Sequence, residues 1–308
     1  MSDNLRRNQH LVSKGYQRNF AQGQSIAVLD ARTGEVVSPR RSISINWRVS
    51  DFLSVISPDG VVDDSLEREF ARSEQVFLNV IRHIEVHRPL SEAQKSALDA
   101  LTATHAIRSL SFSIAHESAV SSVEQGALGL AQDVRARELF LRDKGRPPKR
   151  GELDALVAAV ARDFAESPDL LASGIRRVSR GLQELLGNYS IQLVASSEDL
   201  PGFILADHPV LHGRMSEGRF GFRDAGAFGD ADVLAVPIGR RLVAFYSAKS
   251  LPDVLIRTKK GVRWVNSLLL RGAQSEVACH PEDALETSRL IRGASRYPPE
   301  EFDSVTIR

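Results

Sequence analysis

The residues best able to do chemistry lie on the inward face of one helix, which the sequence predicts to begin after Ser91. At about 100° per residue, His105 and Arg108 fall within the apolar stripe that Leu98 and Leu101 define. An imidazole and a guanidinium that point into a core are costly to bury without partners. Each therefore needs an acceptor or a ligand, so this helix is the first place to look for a functional site.

Arg108 requires a carboxylate, a phosphate or several carbonyl oxygens as its partner. The sequence offers three carboxylates: Glu67 and Glu74 on the preceding helix, and Asp207 at the end of a short strand. Both glutamates fall at the boundary of their helix's apolar face, where a carboxylate reaches either the interior or the solvent. Two interpretations stay open: an internal ion network that fixes helix packing, or part of an active or anion-binding site.

Two further segments place polar residues where function is often found. His10, Tyr16 and Arg18 occur together in an N-terminal stretch that has no clear apolar pattern. Asp207 follows the apolar strand predicted at 203–206, and loops at strand ends often carry function because a sheet holds them in place. An aspartate close to a proline is equally typical of a structural turn, so Asp207 also has two interpretations.

These side chains predict one mixed site if the fold brings them together. The predicted catalytic residues are His10, Glu74, His105 and Asp207, and the predicted substrate-binding residues are Tyr16, Arg18 and Arg108. Histidines and carboxylates in one cleft are able to transfer protons in hydrolysis or to hold a divalent metal ion, and arginines bind anions. Spacing along the chain does not choose between these chemistries, because the prediction depends on proximity in the fold.

A basic, proline-rich loop at 142–150 is a separate candidate for binding phosphates. Its cations are Arg142, Lys144, Arg146, Lys149 and Arg150. Such a run of positive charge is either a solvated surface or a contact for nucleic acid. The sequence contains no phosphate-binding loop, no Gly-x-Ser-x-Gly elbow and no multi-cysteine motif, which excludes the enzyme classes that depend on them.

The composition excludes a protein dominated by one sign of charge. Lys and Arg number 40 against 39 Asp and Glu, a net charge of +1, so binding to nucleic acid would require a local patch. The single cysteine, Cys279, excludes an internal disulfide and a multi-cysteine zinc site. The polar N-terminus and the lack of a long apolar run predict a cytoplasmic protein without a membrane segment.

The elements that would position these residues indicate an α+β fold in a single domain spanning residues 1–308. β-prone runs on either side of a turn at Gly34 predict an N-terminal β-hairpin region at 20–57, and three- and four-residue periods predict a central helical layer at 64–187. We expect antiparallel strands to return in a mixed β/α region at 189–285, followed by a tail at 286–308. Strands, then helices, then strands again favour α+β over alternating βαβ units.

Two local expectations accompany this assignment. The β-prone run at 42–47 predicts a further strand. The Gly- and Phe-rich stretch at 218–230 predicts either a mobile lid or simply a long loop. It does not lead from a strand into a helix, which disfavours a dinucleotide site.

The N-terminal motif and one later segment resemble a known bacterial family. The run at 9–20, Gln-His-Leu-Val-Ser-Lys-Gly-Tyr-Gln-Arg-Asn-Phe, resembles the opening pattern of the family catalogued as domain of unknown function 4238. Residues 203–210, Phe-Ile-Leu-Ala-Asp-His-Pro-Val, resemble that family's Phe-Ile-Thr-Ser-Asp-Asn-Pro-Val strand and turn. Ser13 and His208 stand where the family usually has proline and asparagine.

The resemblance extends in order along the chain from about Gln9 to Asp283. It implies a bacterial or phage origin and supplies no reaction. Our leading hypothesis is a hydrolase that acts on nucleic acid or another phosphate-containing substrate through the His, carboxylate and Arg site. The alternative is a non-catalytic binding or regulatory protein, related to bacterial conflict or to phage, in which the same residues form a structural network or a ligand pocket.

Overall fold

The computed structural model describes residues 8–50, 55–56, 62–63, 65–85, 88–108, 134–165, 168–216, 219–224, 231–248 and 253–294. The described helices are α1 (Lys14–Gln17), α2 (Ser65–Ile81), α3 (Glu92–Ile107), α4 (Val134–Lys144), α5 (Glu152–Ala165), α6 (Pro168–Gly187), α7 (Lys259–Leu270) and α8 (Ala284–Ala294). The described strands are β1 (Asn8–His10), β2 (Ser25–Asp30), β3 (Val36–Ser42), β4 (Arg48–Ser50), β5 (Val55–Ile56), β6 (Val62–Asp63), β7 (Ser190–Ser196), β8 (Leu205–Ala206), β9 (Leu211–Ser216), β10 (Arg219–Asp224), β11 (Val233–Gly239), β12 (Leu242–Ser247), β13 (Val254–Ile256) and β14 (Glu276–Cys279).

The layer that carries the candidate site is built on α3, which packs against α2 and α6. α3 begins with the expected capping box: the Ser91 hydroxyl accepts a hydrogen bond from the Gln94 amide, and the Gln94 side chain accepts one from the Ser91 amide. From Ala97 to Ile107 every residue of α3 is buried. A helix buried all round must find internal partners for its polar side chains, because water does not reach them.

A six-stranded sheet lies beneath this helical layer in the order β10-β9-β11-β12-β7-β13. Neighbouring strands are antiparallel except β13, which runs parallel to β7. Alternate residues of β11 face opposite sides: Val236 belongs to the core cluster that contains α3, and Ala235 to the cluster that contains α7. Because helices and strands cover both faces, the central strands are apolar at nearly every position.

A second sheet joins the beginning and the end of the described chain in the order β3-β2-β14-β8. The hairpin of β2 and β3 supplies one half, and β14 pairs antiparallel with both β2 and β8. This arrangement confirms the α+β fold, and it shows that the predicted N-terminal hairpin region is not a separate layer.

The N-terminal segment is held against the helical layer at α1. Gly15 lies so close to α2 that an added Cβ would stand 2.4 Å from Leu78 Cδ1, so only glycine fits without displacing that side chain. Tyr16, one residue on, is fully buried in the core cluster that includes Leu98 and Leu101 of α3. The predicted family motif is therefore an ordered part of the interior.

Two local expectations were wrong. Residues 43–47 form turns and not a strand, because the buried Asn46 side chain donates a hydrogen bond to Gln17 Oε1 and Trp47 adopts a left-handed φ of 52°. The predicted loop at 218–230 contains strand β10, whose Arg223 pairs with Arg214 of β9. Its remaining residues, 218 and 225–230, lie outside the described part of the chain.

Three of the described helices, α1, α4 and α8, were not predicted individually from the sequence, although α4 falls within the predicted helical layer. α4 is strongly charged and buries Phe140 as its main apolar contact, so it lacks a clear apolar period. α8 occupies the first part of the predicted tail and buries Ile291 against β2. No helix in the described part of the chain is both long and apolar enough to cross a membrane.

The close contact of Gly34 with α8 is testable by comparison with Gly23. Both glycines have a left-handed φ, 70° and 65°, but an added Cβ at Gly34 would lie 2.8 Å from the Ser288 carbonyl oxygen, whereas nothing lies within 4 Å at Gly23. We expect Gly23→Ala to lower the free energy of unfolding by about 1 kcal/mol, the cost of the left-handed backbone. Gly34→Ala should cost roughly 1–3 kcal/mol more because of overpacking. Equal losses in urea titrations of the two variants would contradict the contact.

Candidate functional site

Two helices position the four residues of the buried polar cluster, which we define as Glu67, Glu74, His105 and Arg108. Glu67 and Glu74 are seven residues apart on α2, so they lie on one face two turns apart. His105 lies in the last turn of α3 and Arg108 caps that helix, three residues later and on the same face. The contact between α2 and α3 therefore brings two carboxylates to one imidazole and one guanidinium.

Glu74 lies between the two basic side chains. Its Oε1 is 3.1 Å from His105 Nε2, and its Oε2 is 3.8 Å from Arg108 Nη1. The stronger partner of Arg108 is Glu67, whose Oε2 accepts a hydrogen bond of 2.9 Å from Nη2. The sequence predicted an inward Arg108 whose partner would be Glu67, Glu74 or Asp207. In the structure Arg108 forms ion pairs with both glutamates.

Aromatic side chains form the walls of the cluster. The Tyr16 ring stacks on the His105 ring with centroids 4.5 Å apart and planes 23° from parallel. The Tyr16 hydroxyl donates to the Pro237 carbonyl of β11, so it is already engaged. On the other side, the Arg108 guanidinium lies over the Phe70 ring at 5.7 Å, a cation–π contact.

Ser13 connects the N-terminal motif to the cluster. Its hydroxyl oxygen caps α1 by accepting a hydrogen bond of 3.1 Å from the Tyr16 amide. The same hydroxyl helps to lower the pKa of the Glu74 carboxyl, after the larger effects of His105 and Arg108. The sequence marked Ser13 only as a departure from the family pattern and did not include it in the site. The available signal was its position three residues before Tyr16, which is the spacing of an N-cap.

The cluster is closed to solvent but incompletely paired. His105 is 0% exposed, Arg108 1% and Glu74 6%. Within the described residues, His105 Nδ1 and Arg108 Nε have no hydrogen-bond partner, and the contact of His105 with Glu74 is close without being well aligned. Buried polar atoms of this kind are rare in stable interiors and require an explanation.

Charge and burial fix the protonation of the cluster. Burial lowers the pKa of His105, and the adjacent Glu74 carboxylate only partly opposes this. Burial alone would raise the pKa of Glu74, but its contacts with His105 and Arg108 outweigh burial and hold that pKa below its usual value. At neutral pH we therefore assign a carboxylate at Glu74 and a neutral His105 whose proton is on Nε2, facing that carboxylate.

His10 lies beside the buried polar cluster and nearer the surface. It is half-buried, and its Nε2 lies 3.2 Å from the Ser44 carbonyl, to which it donates when Nε2 carries the proton. In the antiparallel pair of β1 and β4, His10 stands directly opposite Arg48, so both side chains project from the same face. Burial lowers the pKa of His10, the Ser44 hydrogen bond raises it, and the charges of Arg48, Arg108 and Lys14 lower it further.

We name His10, Lys14 and Arg48 the outer His10 site. Lys14 and Arg48 are exposed, so this site meets solvent directly. Sequence analysis found His10 but missed the two cations. The reason is that Arg48 reaches His10 through pairing between strands nearly forty residues apart, which leaves no short motif.

Asp207 does not join the other predicted residues. Its carboxylate accepts hydrogen bonds from the amides of Gln274 and Ser275 at 2.8 Å each and from the Glu276 amide at 3.1 Å. It also accepts a 2.7 Å hydrogen bond from the Ser275 hydroxyl. These bonds hold the turn that leads into β14, so we leave Asp207 out of the proposed centre.

Arg18 also stands apart from the cluster. It ends α1, its side chain is exposed, and it makes no side-chain hydrogen bond or ion pair with any described residue. Of the predicted binding residues, Tyr16 and Arg108 are the ones that line the cluster.

A family model described as "Protein of unknown function (DUF4238)" matches residues 8–283. The chain belongs to this family. The match includes the outer His10 site, the buried polar cluster and Asp207, and it confirms the family suggested by the sequence motifs. The chain matches no curated protein and no solved structure.

Metal binding by this DUF4238 protein was left open by the sequence. Across the described ranges, no three His, Cys, Asp or Glu side chains are grouped as the ligands of a metal ion would be.

The importance of the Arg108 ion pair is testable with a double-mutant cycle. We expect Arg108→Met to lower the free energy of unfolding by about 3–5 kcal/mol, because it removes the buried cation that faces the Glu67 and Glu74 carboxylates. Adding Glu67→Gln should recover part of this loss, since it removes the charge of one of the carboxylates that Arg108 faced. If the double variant is as unstable as the sum of the single variants in chemical denaturation, the pair is not coupled.

Burial of neutral His105 predicts loss of stability in acid. The folded pKa of His105 lies below its unfolded value, so its contribution is complete above about pH 6.5 and is lost as pH falls below that. A single such histidine adds a slope of at most about 1.4 kcal/mol per pH unit, and we expect His105→Gln to flatten the decline between about pH 7 and 5. The exposed His83 serves as the control, and His83→Gln should leave the slope unchanged. Identical slopes for wild type and His105→Gln would contradict the assignment.

Proposed function

We propose that this DUF4238 protein is a hydrolase that acts on a phosphate-containing substrate at the outer His10 site. His10 is the general base that activates water, and Arg48 and Lys14 bind the anionic group. The observation that carries the proposal is the pairing of His10 with Arg48 across β1 and β4, which sets an imidazole and a guanidinium side by side at the surface.

The surroundings of His10 suit a base at neutral pH. A proton on Nε2 is favoured because it donates to the Ser44 carbonyl, and this leaves Nδ1 with a lone pair able to accept a proton. The lowered pKa of His10 keeps it neutral, hence able to act as a base, under ordinary conditions. Cations beside it provide the field that a phosphate group requires.

We give the buried polar cluster a positioning role, because neither of its basic side chains is available to a substrate. Arg108 faces two carboxylates, so its charge is largely opposed and it is a poor primary ligand for a further anion. His105 is completely buried and stacked on Tyr16, which separates it from any substrate in solution. We therefore assign proton transfer to His10 and a positioning role to His105, Glu74 and Arg108.

The second candidate is a non-catalytic protein that binds a phosphate-bearing ligand at the same place. The closed state of the buried polar cluster favours it, because that cluster then serves only to fix α2 against α3. Both candidates predict binding of phosphate at the outer His10 site, and they differ in turnover.

Turnover of generic phosphate esters separates the two candidates. We expect wild-type protein to hydrolyse bis(p-nitrophenyl) phosphate or a labelled oligonucleotide, with a rate that rises with pH as His10 loses its proton. His10→Asn should lower kcat by about 100-fold or more, the usual contribution of a general base. Arg48→Ala should mainly raise KM, and Arg32→Ala, an exposed cation elsewhere, should match wild type.

The contrary results are equally specific. If phosphate raises the melting temperature and Arg48→Ala abolishes that effect, but none of the esters is turned over, the binding protein is supported and the hydrolase is not. If His10→Asn keeps full turnover, the base is elsewhere.

A further inference from the structure

The connection between α4 and α5 forms a basic groove that none of the residues discussed above uses. The groove has a volume of about 570 Å³ and is lined by residues of both helices and of the loop between them. The cations on it are Arg137 of α4 and Lys149 and Arg150 of the loop. It lies outside the buried polar cluster and the outer His10 site.

Internal contacts hold the loop in shape. The Arg146 guanidinium donates two hydrogen bonds to the Glu152 carboxylate, at 2.8 Å and 2.6 Å, and lies 5.6 Å from the Phe140 ring. The Lys149 amide donates to the same carboxylate at 2.8 Å. These hydrogen bonds lower the pKa of Glu152 to about 2, so the clamp is intact at neutral pH.

The helical hairpin also has its own small core. Phe140 and Leu153 are buried against each other, with Ala136 and Val157 packed beside them. The backbone that carries the groove is therefore fixed from within, and ligand binding would not need to order it first.

Ion pairs divide the cations of this connection and of α4 into two sets. Arg146 is paired with Glu152, and Lys144 with Asp143. Arg137, Lys149 and Arg150 form no ion pair with any described residue, and all three are exposed on the groove. Positive charge that the protein does not neutralise itself is available to an anionic partner.

From this division we infer that the groove binds the phosphate backbone of nucleic acid. The cations come from α4 and from the loop that follows it, so more than one segment of the groove can contact a chain of phosphates. The groove also carries two carboxylates, Glu138 and Asp154, which repel phosphate. Removing their charge should therefore strengthen the binding of nucleic acid. The inference does not depend on hydrolysis at His10.

Fluorescence anisotropy with labelled DNA and RNA of about 20 nucleotides, single-stranded and duplex, tests the groove on the full-length protein. For about three phosphate contacts, log affinity should fall with log salt with a slope of about −2 to −3 between roughly 50 and 200 mM NaCl. The double variant Lys149→Glu/Arg150→Glu should weaken binding at least about 10-fold and flatten that slope. Glu138→Gln/Asp154→Asn should bind more tightly than wild type.

A control variant with the same change in net charge distinguishes binding at the groove from nonspecific electrostatic attraction between the protein and nucleic acid. Lys259→Glu/Lys260→Glu alters two adjacent exposed lysines on α7, and we expect it to bind like wild type. Melting temperatures of all variants should remain close to wild type, because the Arg146 clamp is untouched. Equal weakening by the control pair, or no binding of any probe at about 50 mM NaCl, would overturn the inference.

Discussion

Burial of Arg108 is the constraint on which the helical layer depends. A guanidinium cannot lose its proton at any ordinary pH, so enclosing it at 1% exposure requires carboxylates at fixed positions. Glu67 and Glu74 satisfy this requirement only if α2 keeps both of its inward-facing turns against the end of α3. The register between these two helices follows from that requirement, since a shift of one residue on α2 would rotate both carboxylates away by about 100°.

The N-terminal segment helps to close the buried polar cluster to solvent. Tyr16 covers the face of His105, and the Ser13 hydroxyl that caps α1 also helps to lower the pKa of the Glu74 carboxyl. Because the same few residues close the cluster and lead from β1, the position of His10 is tied to that of the buried ions. This segment has no apolar period of its own, yet Leu11, Val12, Tyr16 and Phe20 are buried in the main core cluster. Their irregular spacing explains why the sequence pattern gave the segment no structural assignment.

Local sequence patterns predicted much of this arrangement. Contacts that depend on pairing between distant segments could not be predicted from such patterns. The capping box at Ser91 and the helical period placed His105 and Arg108 on the inward face, and the need for partners led to Glu67 and Glu74. The same reasoning grouped Asp207 with them, because a strand-end aspartate gives no sign of whether its acceptors are nearby amides or distant cations. The structure places three amides around it. Arg48 was missed for the opposite reason, since only the β1–β4 register brings it to His10.

The electrostatics of burial explain why the buried polar cluster and the outer His10 site have different roles. In the interior, two carboxylates facing one guanidinium leave no excess positive charge for a substrate anion. At the surface, Lys14 and Arg48 stand beside His10 without an ion pair to any described residue, and water lowers the cost of bringing a charged ligand to them. The charge of Arg108 still reaches His10 and helps to lower its pKa. The buried ions can therefore adjust the basicity of His10 while remaining closed to the ligand, which is why the exposed histidine, and not the buried one, is the better candidate for chemistry.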